Sequence, residues 1–128
     1  MYLCIDIGNS QVHCGVFSAT GELQVQFRHN TAHVGSSDQF AVFLLQVLRE
    51  NNIEPNLLRN VAIASVVPSV DYSVTAAFLK YFNLKPLFLQ PGVKTGIKIS
   101  SNHPGEIGAD LIAGAVGGIT KYPNKHLL

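Results

Sequence analysis

The first seventeen residues constrain the fold of this chain more than any other stretch. Tyr2-Leu-Cys-Ile-Asp-Ile7 is an apolar run of strand length, Gly8-Asn9-Ser10 is turn chemistry, and Val12 to Phe17 is a second strand-like run. Gly-Asn between two such runs predicts a hairpin, since both residues tolerate positive φ. The first strand carries a single acid, Asp6, which its apolar neighbours predict to be buried. A carboxylate at a strand end, beside a glycine turn with free backbone N–H groups, can hold a hydrated Mg²⁺ while the turn donates to phosphate oxygens. The plainer reading is a hairpin whose Asp caps its own turn.

The rest of the composition narrows the class. At 128 residues the chain is one domain by size, long enough to bury about two-thirds of its unfolded surface. A hydrophobic fraction of 47% with 13% charged residues describes an ordered, core-rich chain. A surface so poor in charge implies cover by a partner subunit or by further chain. The formal net charge is +1 and the nine Lys and Arg are scattered, so no nucleic-acid partner is expected. The uncharged apolar stretch Val61 to Val70 contains a proline and is too short for a bilayer, so no membrane partner is expected either. No charged segment followed by an apolar core opens the sequence, which makes the cytoplasm the default location. Cys4 and Cys14 are expected roughly opposite each other across the hairpin, as buried thiols and not a disulfide. None of the five histidines has a cysteine partner at zinc spacing, so no structural zinc site is expected.

Further along, Thr20-Gly21-Glu22 is a second turn, and Leu23, Val25 and Phe27 alternate with polar residues to give a half-buried third strand. A polar loop from His29 to Gly35 leads to Ser36 and Gln39, which fit a capping box. Phe40, Phe43, Leu44, Val47 and Leu48 then recur at helical spacing through Glu50, and Asn51-Asn52 ends the helix. Val61 to Val67 is apolar on both faces, as expected of a central strand with a layer on each side. A second helix with Val74, Phe78, Tyr81 and Phe82 on one face follows Pro68-Ser69. Leu87-Phe88-Leu89 is a short buried strand, residues 93–102 a loop or weak strand, and a third helix is expected from about Gly105 or Glu106 to Lys121. Lys125 to Leu128 reads like the start of another strand. The predicted order is β-β-β-α-β-α-β-α.

A second candidate site is His103-Pro-Gly-Glu-Ile-Gly-Ala-Asp110. Asp110 falls in the first turns of the third helix, after two glycines that allow close backbone approach. It could act as a general base toward an alcohol. As plain helix stabilisation, a carboxylate there is worth about 0.3–1 kcal/mol. Glu106 is ordinary first-turn charge. Ser65 reads as a satisfied core hydroxyl, and Lys94-Thr95-Gly96 as a loop that could touch phosphate or carboxylate but equally as a solvated lysine. No P-loop signature is present, and Gly114, Gly117 and Gly118 fall inside the expected third helix, where each would cost about 1 kcal/mol relative to alanine.

Four stretches together resemble the type III pantothenate kinases of the acetate and sugar kinase, Hsp70 and actin superfamily. They are Asp6-Ile-Gly-Asn-Ser10, Ala64-Ser-Val-Val-Pro68, Pro91-Gly-Val-Lys-Thr-Gly96 and Pro104-Gly-Glu-Ile-Gly-Ala-Asp110, in the family's order and spacing. The resemblance implies an α/β, ribonuclease H-like (actin-like ATPase) domain with a mixed five-stranded sheet and helices over residues 1–124. It implies that residues 125–128 begin a second domain. It further implies ATP-dependent phosphorylation of pantothenate to 4'-phosphopantothenate, the first step of coenzyme A biosynthesis. Asp6, Ile7, Gly8, Asn9, Ser10, Gln11, Val12 and His13 would form the ATP phosphate loop, with Asp6 holding Mg²⁺ through water. Gly108, Ala109, Asp110, Leu111 and Ser101 would line the pantothenate pocket, with Asp110 as the catalytic base. A homodimer and a monovalent cation, K⁺ or NH₄⁺, are implied, the cation's ligand lying beyond Leu128.

Three departures stand out. Family members are about twice this length, as two similar domains around the nucleotide. Where the family usually has Arg after the catalytic Asp, this chain has Leu111, losing a rigid fork suited to an anionic substrate. Where the family places a tyrosine before the motif, this chain has Ser101. These changes point to altered substrate, weak activity or decay. Two other readings follow: a non-catalytic or regulatory homologue, and a kinase for another small alcohol.

Overall fold

The structure is a computed structural model that describes residues 1–89. Five strands and two helices follow in the order β1 (Tyr2–Ile7), β2 (Gln11–Phe17), β3 (Leu23–Asn30), α1 (Ser37–Glu50), β4 (Asn60–Ser65), α2 (Pro68–Tyr81) and β5 (Leu87–Phe88). This matches the predicted order through the fifth strand. The expected third helix and the strand start at Lys125 lie outside the described residues.

The strands form one mixed sheet in the order β3-β2-β1-β4-β5. β1, β2 and β3 are an antiparallel meander, whereas β4 runs parallel to β1 and β5 parallel to β4. The change of direction follows from the connections. Tight turns allow only antiparallel neighbours, and the two helices supply the crossovers that parallel strands need.

Strand alternation assigns the faces. Leu3, Ile5 and Ile7 of β1, Val12, Cys14 and Val16 of β2, and Val61 and Ile63 of β4 are buried in one cluster with Phe40, Leu44 and Leu48 of α1 and Val74, Ala77 and Phe78 of α2. The two helices pack on each other over that face. Each fully buried Leu, Ile, Val or Phe contributes about 1.5–3 kcal/mol of transfer free energy. The capping box at Ser36 forms in both directions, with Ser36 N–H donating to Gln39 Oε1 at 2.8 Å and Gln39 N–H to Ser36 Oγ at 3.2 Å. Pro68 stands in the first turn of α2, where its missing N–H costs nothing.

Several expectations are corrected. Asp6 is exposed, not buried: it points away from the helices together with Tyr2 and Cys4, the odd members of the alternation. The cysteines are not opposite each other. The register pairs Cys4 with Gly15 and Cys14 with Ile5, so a one-residue offset sends the two thiols to opposite faces, Cys4 exposed and Cys14 buried. Leu23 does not share a face with Val25, because a bulge between Val16 and Phe17 pairs Leu23 with Phe17 and turns it outward. β3 continues through His29 and Asn30, which the sequence assigned to a loop, since both still pair with β2. Tyr81 is surface-exposed at the last residue of α2, where its phenol donates to Asp38 Oδ1 of α1 at 2.6 Å. Leu87 is exposed, on β5, the edge strand among the described residues. On the second face of β4, Ala62 is half-buried and Ala64 buried, with no helix over them among the described residues.

Candidate functional site

The Gly8–Ser10 turn closes the C-terminal end of β1 onto β2, and Gly8 N–H donates to Gln11 O at 2.9 Å. Neither Gly8 nor Asn9 adopts positive φ, so the expectation that this turn relies on left-handed residues fails. The glycine eases a close approach instead: a Cβ on Gly8 would lie 3.3 Å from Gln11 O, a tight contact that would make the backbone there give by a few tenths of an ångström. The turn Ser18–Glu22 is the one that uses the left-handed region, at Gly21 with φ +88°.

Three bonds fix the loop from behind. Thr31 Oγ1 donates to Gly8 O at 2.7 Å, Thr31 N–H donates to Ser10 O at 3.0 Å, and Val66 N–H donates to Ile7 O at 3.1 Å. Thr31 is itself buried, in the short 3-10 turn Thr31–His33 that follows β3. With the carbonyls engaged, the N–H groups of Asn9 and Ser10 have no partner among the described residues, and both residues are exposed. Such N–H groups on a tight turn can receive an anion.

The parallel pairing of β1 and β4 brings a second sequence motif to the same place. Ile7 is in register with Ser65, so Ala64-Ser-Val-Val-Pro68 lies beside the loop and leads straight into α2. Ser65 Oγ donates to Asp71 Oδ1 at 2.6 Å and accepts from Val67 N–H at 3.1 Å, so it is the satisfied hydroxyl expected of it.

Asp6 and His13 are direct cross-strand partners on the face away from the helices, and both are exposed at the turn end of the hairpin. A concavity of about 480 Å³ opens on that face, with Cys4, Asp6, His13, Gly15, Ala62 and Leu89 among its lining residues. Asp6 is one carboxylate without a protein cage: among the described residues no group of three His, Cys, Asp or Glu could hold a metal ion. That donor set fits a cation held largely by water and phosphate oxygens, the habit of Mg²⁺ in nucleotide sites, and not a dedicated protein site.

Of the sequence-predicted site residues, Asp6, Ile7, Gly8, Asn9, Ser10, Gln11, Val12 and His13 form one continuous hairpin end. Ile7 and Val12 are buried beneath it and serve as core, not contact. Ser101, Gly108, Ala109, Asp110, Leu111 and the Lys94-Thr95-Gly96 loop lie outside the described residues. Sequence reasoning missed Thr31. Its only signal was a lone Thr at the end of the third strand, a position defined by pairing with β2 and by nothing local.

A mixed five-stranded sheet with an antiparallel hairpin at its centre and helical crossovers to parallel strands beside it is the actin-like ATPase fold. A solved structure assigned to a sugar kinase of Cytophaga hutchinsonii ATCC 33406 shares the fold with a TM-score of 0.50 at 18% identity, covering 75% of this chain and 38% of that one.

The family model of type III pantothenate kinases matches residues 2–128, and the chain belongs to that family. Type III pantothenate kinase of Legionella pneumophila (strain Corby) is 48% identical over 128 residues, covering 100% of this chain and 49% of the relative. Type III pantothenate kinase 2 of Francisella tularensis subsp. holarctica (strain OSU18) is 43% identical over 130 residues, with 100% and 50% covered. That of Elusimicrobium minutum (strain Pei191) is 37% identical over 128 residues, with 100% and 49% covered. The chain spans about half the length of the curated relatives it matches.

Proposed function

We propose that this chain supplies one wall of a kinase cleft that transfers the γ-phosphoryl group of ATP to the primary hydroxyl of pantothenate. The product is 4'-phosphopantothenate, and the step opens coenzyme A synthesis. The observation that carries the reading is the hairpin end, where Asp6 and the N–H groups of Asn9 and Ser10, without a partner among the described residues, stand together on an exposed turn. The activity named for the relatives agrees with it.

In this reading the Asp6–His13 segment receives the phosphates. Asn9 and Ser10 donate backbone N–H groups to phosphate oxygens, and Asp6 orients a hydrated Mg²⁺, which neutralises phosphate charge when bound. Asp110 takes the proton of the pantothenate hydroxyl as the oxygen attacks the γ-phosphorus. The bond to the bridging oxygen breaks and ADP leaves. Gly108, Ala109, Leu111 and Ser101 line the substrate pocket. Residues 1–124 form the first domain and residues 125–128 begin a second, which completes the nucleotide cleft and holds the monovalent cation, K⁺ or NH₄⁺. A cytoplasmic homodimer belongs to the same proposal.

The test is reconstitution. With ATP, Mg²⁺, K⁺ and pantothenate, the 128-residue chain alone should give no product, and adding a polypeptide that carries the second domain should restore turnover. Robust turnover by the chain alone would sink the two-wall reading. In the reconstituted enzyme Asp110→Asn should lower kcat by about two orders of magnitude or more at nearly unchanged stability. A retained rate would remove Asp110 from the base role.

Leu111 and Ser101 favour a second reading, a binding or regulatory homologue that no longer phosphorylates pantothenate. Calorimetric titration separates the two. Measurable pantothenate affinity in the reconstituted protein counts against the regulatory reading, and ATP affinity without pantothenate affinity supports it.

A further inference from the structure

We infer that Thr31 is the positioning residue of the phosphate loop: by holding the carbonyls of Gly8 and Ser10 it sets the direction in which the Asn9 N–H is offered to a nucleoside-triphosphate oxygen. The inference rests on the phosphate-loop reading above and adds to it the residue that shapes the loop.

The geometry is specific. Thr31 uses all of its polar groups on or beside the turn. The hydroxyl donates to Gly8 O at 2.7 Å, the N–H to Ser10 O at 3.0 Å, and the carbonyl accepts from Val34 N–H at 3.2 Å. The residue is buried at 6% exposure, with no buried side-chain polar atom left unpartnered among the described residues. The peptide between Gly8 and Asn9 is trans. In a planar trans peptide the C=O and the following N–H point to opposite sides. Fixing Gly8 O against Thr31 therefore fixes Asn9 N–H on the far side of the turn, away from the protein that holds it. Asn9 is exposed there, and its N–H has no partner among the described residues.

A loop held this way loses little freedom when phosphate binds, which is how a preorganised donor gains strength over a mobile one. Without the hydroxyl the Gly8–Asn9 peptide could rotate. The N–H would then be shared among several directions, and each phosphate contact would carry an ordering cost.

Two substitutions separate the hydroxyl from the shape. Thr31→Val keeps the branched side chain and removes the donor, and Thr31→Ser keeps the donor and removes the methyl. The readout is the ¹⁵N–¹H spectrum of the ¹⁵N-labelled chain reconstituted with the polypeptide that carries the second domain, titrated with Mg·ATP. In the wild type the Asn9 and Ser10 amides should shift with Mg·ATP. In Thr31→Val the Asn9 signal should leave its wild-type position before ligand is added, and the dissociation constant should rise about tenfold. Thr31→Ser should stay within about twofold of wild type. Val34→Ala serves as the stability control: it should lower the melting temperature without moving the dissociation constant by more than about twofold.

An unchanged Asn9 signal and affinity in Thr31→Val would overturn the inference while leaving the phosphate loop in place. Absence of any shift at the loop amides of the wild type would overturn the phosphate-loop reading, and this inference with it. Should Thr31→Val fail to fold, hydrogen exchange in the wild type decides: the Thr31 amide bonded to Ser10 O should be protected, and free exchange there would refute the clamp.

Discussion

Cys4 and Cys14 sit on adjacent strands of one hairpin, and the two faces of the sheet treat them differently. Cys14 lies under the helices, at 4% exposure, beside Ile5. Burial there pushes its thiol up to about 12. Cys4 is exposed on the other face, where partial shielding raises its thiol above the ordinary value. One face thus spends its side chains on cohesion. The other keeps Asp6 and His13 accessible at the turn end of the same two strands. A strand pair can be core and site together because alternation separates the two duties residue by residue.

The contrast can be broken at its strongest point first. Phe40 is fully buried against the sheet, so Phe40→Ala should cost about 3–5 kcal/mol in urea unfolding. Leu23, 49% exposed on the opposite face, should cost about 0.5 kcal/mol or less as Leu23→Ala. Equal losses would erase the distinction between the faces.

The thiols sharpen the same comparison chemically. Near pH 8 in the native protein, iodoacetamide should modify Cys4 at least about a hundredfold faster than Cys14, since the buried thiol is almost wholly protonated and shielded. Mass spectrometry of a timed series reads the ratio. Comparable rates would mean that the helix layer does not cover Cys14 in solution.

The smallest effect concerns how the helix layer is fastened to itself. Asp38 Oδ1 receives Lys80 Nζ at 2.8 Å and the Tyr81 hydroxyl at 2.6 Å, joining α1 to the end of α2. The Lys80 hydrogen bond, then that of Tyr81, holds the Asp38 carboxyl below its usual range. A depressed acid contributes stability that is full above the ordinary aspartate value and is lost as pH falls through the lower folded value. The Asp38→Asn protein should therefore lack a small acid-side step in stability below about pH 4. Both side chains of the ion pair are exposed, so salt should shrink the step further. A wild-type acid profile identical to that of Asp38→Asn would show that the link adds nothing.

Much of this was readable in the chain itself. The capping box at Ser36 and Gln39, the stripe through Phe40, Leu44 and Leu48, and the hairpin at Gly8 are local signals, set by neighbours three or four residues away. The segment proposed to receive phosphate was legible as a strand end and turn for the same reason, since Asp6 and Gly8-Asn9-Ser10 are contiguous. Asp6 was misjudged as buried because an apolar neighbourhood in sequence is not one in space. Tyr81 was misjudged because helical spacing gives the side of a helix but not where the neighbouring layer ends.

The sequence by itself determined which segments are strands and helices, where they turn, and that an acid and a glycine turn meet at the end of β1. Periodicity and capping are local properties, so they survive without a partner in view. Only the tertiary structure decided the register that parts Cys4 from Cys14, the bulge that turns Leu23 outward, and the distance of 2.7 Å from Thr31 to Gly8 O. Each of these depends on residues far apart in the chain, 23 positions in the case of Thr31 and Gly8. Pairing between strands sets such contacts, and a one-residue slip would reassign every side chain on the strand to the other face.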